Sequence, residues 1–135
     1  KQKRYPIHLK FNTGLNRLGF QESDIPFIIQ TLQKTESVKV KSIFSHLAAS
    51  EDFEEKEFTK GQLTSFKSIS VELIEGLGYS PLLHTVNTSG ILNYPEAHAD
   101  MVRTGIGLYG FGNDPKHNNN KRTRWTANLH AASAK

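Results

Sequence analysis

Two periodicities alternate along this chain, and that alternation limits its fold more than any other feature. Residues 5–12, Tyr-Pro-Ile-His-Leu-Lys-Phe-Asn, alternate apolar and polar side chains and read as a strand. A loop with Gly14 and Gly19 follows. Ser23 or Asp24 can then cap a helix that tolerates Pro26 in its first turn, with an apolar stripe at Ile25, Ile28, Ile29 and Leu32. Residues 38–47 read as a second strand and the acidic stretch Glu51 to Glu57 as a solvated loop. Thr59 to Gln62 can form a capping box for a longer helix marked by Leu63, Phe66, Leu73, Ile74 and Leu77 and stopped by Gly76 and Gly78. Strand, helix, strand, helix, strand, short helix, strand is the order of parallel β/α architecture. The expected strands lie near 6–12, 40–47, 82–87 and 101–108, with a helical turn at 88–92. Four such units are half of an eight-stranded barrel of the TIM type.

Composition removes several function classes. The 135 residues suit one compact domain, and 36% hydrophobic with 22% charged residues is globular rather than disordered. The net charge of +4 sits largely at Lys1 to Arg4 and Lys121 to Arg124, without the interleaved aromatics of a nucleic-acid surface, so we read solvated ends and no nucleic-acid partner. The absence of cysteine excludes a disulfide framework, a thiolate nucleophile and a cysteine zinc site. No apolar run reaches membrane length, no signal-peptide pattern opens the chain and no initiator Met begins it. The expectation is a soluble, cytoplasmic piece of a larger protein with no membrane partner. Residues 112–121, rich in Asn, Lys and Pro, suit a linker, and 125–134 read as the start of a further strand.

Gly105-Ile-Gly-Leu-Tyr-Gly110 matches G-x-G-x-x-G, but a dinucleotide site needs a helix after it, and the Asn-, Pro- and Lys-rich sequence downstream does not supply one. A strand end that offers backbone N–H groups to a phosphate remains. Asn87-Thr88-Ser89 is a glycosylation sequon in form, or a hydroxyl-rich turn that holds a phosphate at a strand end. The six histidines lack H-x-x-x-H spacing or a companion carboxylate set, so no metal site is expected. His46, Arg17 and Arg103 each stand where a strand meets a turn; each is either a packed or paired side chain or part of a barrel mouth.

Four ordered motifs add a resemblance. His8-Leu-Lys-Phe-Asn-Thr-Gly-Leu-Asn-Arg-Leu-Gly19 resembles the HLKxDTGMxRLG stretch of alanine racemases. Phe44-Ser-His-Leu-Ala-Ala-Ser-Glu-Asp52 is similar to their F-T-H-x-A-x-A-D, and His84 to Leu92 with Tyr94-Pro-Glu96 resembles their H-x-A-N-S-A-x-x-L and F-P-E/D. Asp100-Met-Val-Arg-Thr-Gly-Ile-Gly-Leu-Tyr-Gly110 is similar to their most diagnostic run, M-V-R-x-G-I-x-L-Y-G. Asn12 stands where the family usually has aspartate, and Thr88 where it usually has serine.

The resemblance implies a parent isomerase that interconverts L- and D-alanine on pyridoxal 5'-phosphate, supplies D-alanine for peptidoglycan, and forms a homo-oligomer. It implies that residues 1–110 are the second half of the cofactor-binding barrel and that 111–135 are a linker and the start of a β-rich C-terminal domain. Carried over by position, Arg17 would hydrogen-bond the cofactor's phenolic oxygen and His46 would lie against its ring. Asn87 and Thr88 would sit on the phosphate side, Gly105 and Ile106 would offer backbone N–H groups to the phosphate, and Arg103 would face the pyridine nitrogen. The lysine that bonds the cofactor and the tyrosine base would lie upstream of Lys1 and past Lys135, so no catalytic residue is assigned here and the piece alone is expected to be inactive. The alternatives are another barrel enzyme on the same cofactor, a racemase for a different amino acid or a decarboxylase, and a non-catalytic binding module.

Overall fold

The computed structural model describes residues 4–110. Three parallel strands, β1 (Tyr5–Lys10), β2 (Val38–Phe44) and β3 (Leu82–His84), form one sheet in that order. A single 3-10 turn at Glu22–Asp24 leads into α1 (Ile25–Gln33), α2 (Lys56–Leu77) joins β2 to β3, and the short α3 (Thr88–Asn93) follows β3. Parallel neighbours require such crossovers, and α1 and α2 pack on one face of the sheet.

The core is the contact between that face and α1 and α2. Leu9, Phe11, Val40 and Ile43 meet Ile25, Ile28, Phe66, Ile69 and Leu73, all buried. Each such side chain contributes about 1.5–3 kcal/mol when fully buried. The expected stripe of α1 is half right in depth: Ile25 and Ile28 are buried, Ile29 and Leu32 partly so. Gly76 lies inside α2 against Ile29, where a side chain would collide, so it serves close packing of the two helices and Gly78 alone ends α2, in the left-handed conformation.

A register shift between Ile7 and His8 pairs Ile7 with Val40 but His8 with Ser42. Lys41 is therefore a bulge residue, and the bulge reverses the parity of β2. Val40 and Ile43 both reach the helical core, while Ser42 joins His8 on the other face. The amide of Val40 beside the bulge donates to the Tyr79 hydroxyl at 3.1 Å.

Three expectations are corrected. The window 101–108 is not a strand: Asp100 and Arg103 donate to the carbonyls of Leu83 and Val86 at 3.1 and 3.2 Å, and Ile106–Tyr109 is a 3-10 turn. Those two bonds advance three residues at a time, which a two-residue pleat cannot continue, so the described residues hold three strands where four were expected. β3 stops at His84 rather than 87 because Thr85 to Asn87 turn into α3. Finally, α2 begins at Lys56, one turn before the expected capping box, so Thr59 and Gln62 are buried inside the helix. The linker and second domain expected over 111–135 lie outside the described residues.

Candidate active site at the strand ends

The loops that follow the three strands meet at the C-terminal end of the sheet. The loop after β1 closes on itself, with Phe20 donating to Lys10 O at 2.9 Å and Asn12 donating to Phe20 O at 2.8 Å. Gly19 makes this possible: its φ is +122°, and a Cβ there would come within 2.9 Å of the Asn12 nitrogen and the Phe11 carbonyl carbon. The closed loop carries the exposed Arg17.

Arg103 is the best-held group of the site. Its Nη2 donates to the carbonyl of Ser45, just past β2, at 2.5 Å, and to that of Thr85, just past β3, at 3.0 Å. The guanidinium carbon lies 5.2 Å from the centre of the Phe44 ring. Burial lowers its pKa, although a guanidinium keeps its proton throughout the ordinary pH range. Its Nε is buried without a hydrogen-bond partner among the described residues.

His46 is half-buried near it. Burial first, then the charges of Arg103, Arg17 and Lys10, lower its pKa, with Glu51 acting weakly the other way. Lys10 is itself lowered by burial and by Arg17 and Arg103. The charges of Arg103, Arg17 and Lys10 thus all act on His46, whereas Asn87, expected in the same group, is engaged with Gly90 and Ser50. Neither ion pair among the described residues, Arg4 with Glu36 and Lys60 with Glu57, neutralises this cluster. Such a field favours an anionic, acceptor-rich ligand.

The other expected residues form a second group after β3. Asn87 caps α3: its Oδ1 accepts from Gly90 N at 2.9 Å and from the Ser50 hydroxyl at 2.7 Å. Its amide is therefore part of the frame. Thr88 is buried, and its Oγ1 accepts from the backbone N–H groups of Gly105 and Gly107 at 3.0 and 3.1 Å. With two bonds accepted, its own hydrogen remains to be donated. Gly105 N–H is thus engaged with Thr88, and Ile106 beside it is exposed.

Sequence reasoning missed Lys10 and Gln62. Strand parity was the available signal for Lys10, which shares a face with His8 two residues earlier. No local signal marks Gln62. Its Oε1 accepts from Ala48 N at 2.9 Å, and its Nε2 lies 3.3 Å from both His46 O and Thr13 Oγ1, so it ties the loops after β1 and β2 together. Among the described residues no cluster of His, Cys, Asp or Glu could hold a metal ion, and no helix is long and apolar enough to cross a membrane.

Comparison with known proteins gives one answer. A family model described as alanine racemase, N-terminal domain, matches residues 1–113. Alanine racemase 1 of Oceanobacillus iheyensis is 37% identical over 109 residues, covering 80% of this chain and 29% of that protein. The alanine racemase of Treponema denticola is 36% identical over 119 residues, or 86% and 31% of the two chains. Among solved structures, a Clostridium difficile alanine racemase in complex with cycloserine matches with a TM-score of 0.72 at 31% identity over 81% of this chain and 30% of its own. A Bartonella henselae alanine racemase with covalently bound pyridoxal phosphate matches with a TM-score of 0.69 at 29% identity over 90% and 32%. The chain thus spans about three tenths of the length of the proteins it matches.

Proposed function

The chain belongs to the alanine racemase family, within its N-terminal domain, and on that premise we propose that it supplies one half of the pyridoxal 5'-phosphate pocket of an enzyme that interconverts L- and D-alanine. In this reading residues 1–110 are the second half of the barrel and 111–135 lead into a β-rich domain. The family match that ends at residue 113 supports that division. The parent enzyme is a cytoplasmic homo-oligomer that provides D-alanine for peptidoglycan.

The observation that carries the proposal is the unpartnered Nε–H of Arg103. A buried donor without an acceptor costs about 1–3 kcal/mol, so it fits a ligand that presents a lone pair in a dry place. The unprotonated ring nitrogen of pyridoxal phosphate is such an acceptor. The residues present therefore fit the group. When bound, it supplies an electron sink for the charge left at an amino acid's α-carbon after proton loss.

The chain's own residues then have these roles. Arg103, oriented by the Ser45 and Thr85 carbonyls, donates from Nε to the ring nitrogen. Because a guanidinium does not release its proton, it opposes a second positive charge on that nitrogen and keeps the sink moderate. Arg17 would donate to the phenolic oxygen, and His46 would pack its ring against the cofactor in a form that burial first, and then the surrounding cations, keep neutral. At the phosphate end Thr88 donates its free hydroxyl hydrogen and Ile106 offers its backbone N–H, whereas the N–H of Gly105, expected to join it, is held by Thr88 and fixes the turn instead. Asn87 contributes by fixing the turn that carries Thr88. The lysine that bonds the cofactor and the tyrosine base belong to other parts of the longer protein.

The direct experiment is alanine racemisation by the longer protein that carries this chain, with cofactor binding followed by absorbance in the unsubstituted protein and in Arg103→Ala. Loss of binding in the variant supports the reading. Full-strength binding in the variant, or a parent that does not racemise alanine, overturns it.

A further inference from the structure

Ser45 is the junction of the strand ends, and each of its polar groups is engaged. Its N–H donates to His84 O, at the end of β3, at 3.3 Å, and its hydroxyl donates to Phe11 O, just past β1, at 2.9 Å. Its carbonyl accepts from Nη2 of Arg103, and its Oγ lies 2.7 Å from Oγ1 of Thr13. Ser45, Phe11 and Gln62 are buried, and Thr13 is half-buried. The loop of Thr13 sits directly on α2: a Cβ on Gly14 would come within 2.9 Å of the Phe58 ring and 3.4 Å of Cγ of Gln62.

The hydrogens of this cluster run in one direction. Phe11 O can only accept, so the single hydrogen of the Ser45 hydroxyl goes there, and Thr13 donates its own to Ser45 Oγ. Thr13 Oγ1 is then left to accept, and Nε2 of Gln62 donates to it at 3.3 Å. The Gln62 amide has one possible orientation. Its oxygen faces the N–H of Ala48, a pure donor, at 2.9 Å, and its nitrogen faces the carbonyl of His46, a pure acceptor, at 3.3 Å. Gln62 therefore holds both residues that follow β2, His46 directly and Ser45 through Thr13.

We propose that Gln62, from inside α2, is a positioning residue for Arg103 and acts on it through Thr13 and Ser45. The donors Gln62, Thr13 and Ser45, ending on Phe11 O, fix the Ser45 side chain, and the bond from Gln62 to His46 O fixes the residue after it. The peptide between Ser45 and His46 carries the carbonyl that orients the guanidinium, and it is thus anchored on both sides. Without the chain of bonds that peptide can rotate, Nη2 loses one of its two acceptors, and the buried Nε–H no longer keeps one direction. The use of a fixed Nε–H in cofactor binding rests on the function proposed above, whereas the anchoring itself does not.

The test is proton–nitrogen NMR of the arginine Nε–H groups in the full 135-residue chain without ligand, with the Arg103 signal identified by its loss in Arg103→Lys. In the unsubstituted chain this buried Nε–H should exchange slowly with solvent. Gln62→Met keeps the length of the side chain without its donors, and Thr13→Val keeps the shape without the hydroxyl. Each should speed that exchange by about tenfold, the equivalent of one hydrogen bond, while the backbone amides of β1 and β2 change less. Thr13→Ser, which keeps the hydroxyl, should restore slow exchange. Should Gln62→Met not fold, Thr13→Val, at a half-buried loop position, still decides. An Nε–H of Arg103 as protected in Thr13→Val as in the unsubstituted chain overturns the proposal. So does an acceleration shared equally by the amides of β1 and β2, which marks a merely structural role. In the longer protein Thr13→Val should also weaken cofactor binding; undiminished binding beside faster exchange supports the anchoring and counts against the ring-nitrogen role of Arg103, so the two readings fail separately.

Discussion

Arg103 holds its guanidinium carbon 5.2 Å from the centre of the Phe44 ring while one of its nitrogens spans the carbonyls of Ser45 and Thr85. The aromatic face, the two carbonyls and the sheet end fix the fork in one orientation, which leaves a single buried donor, Nε, without a partner among the described residues. A lysine carries the charge but not the fork. In the longer protein, Arg103→Lys should therefore weaken cofactor binding by about tenfold to a hundredfold, the equivalent of one hydrogen bond to a charged group. An absorbance titration measures it, and undiminished affinity would remove Arg103 from the ring nitrogen.

Thr88 should show its role through its hydroxyl rather than its size. Thr88→Val keeps the volume but leaves the N–H groups of Gly105 and Gly107 without an acceptor. The expected loss is about 1–3 kcal/mol, read as a lower urea midpoint, and Thr88→Ser should recover most of it. Equal stability of the valine and serine variants would contradict this.

Gly19→Ala should destabilise the loop that presents Arg17. The added Cβ meets the backbone of Phe11 and Asn12, just past β1, at 2.9 Å in a conformation with φ of +122°. A cost of about 1–3 kcal/mol is expected in denaturant unfolding, with accelerated amide exchange in residues 12–20. Ordinary stability would mean that the loop can open without loss.

Stability should fall on the acid side because of His84. Its folded pKa of about 4 lies below the ordinary 6.5, so the unfolded chain takes up the proton first as pH falls. The contribution is complete above pH 6.5 and is lost on the way down to 4, up to about 3 kcal/mol, with no further change from this group below that. His46, lowered in the same direction, adds to the slope. Urea midpoints between pH 7 and 4 should drop less steeply in His84→Gln than in the unsubstituted chain, and parallel curves would refute the assignment.

The 135-residue chain by itself should self-associate and should not racemise alanine. Among the described residues β1 has no partner strand on one edge, and Ile106, Leu108 and Tyr109 are exposed. Light scattering should report a dimer or larger species, and racemisation above the free-cofactor background would place the missing bases within these residues.

By itself the sequence determined the β/α order, the apolar stripe of α1, the first and second strands, and the position of Arg17 and His46 in the loops that follow them. These follow from local rules, namely periodicity, capping and the position of loops after parallel strands, and from motifs that survive as contiguous letters. Tertiary structure decided the rest. Whether Ser42 faces the helices or His84 depends on a bulge, which exists only in the pairing of β2 with β1. Asn87 became a cap because Ser50 and Gly90 meet it, and the start of α2 moved because Gln62 is bound by loops on two other strands. The segment at 101–108 has strand-like letters but is shaped by Asp100, whose carboxylate and amide take the N–H and C=O of Leu83. Each of these outcomes rests on a hydrogen bond between residues far apart in the chain, and such a bond forms only once burial has removed the competing water.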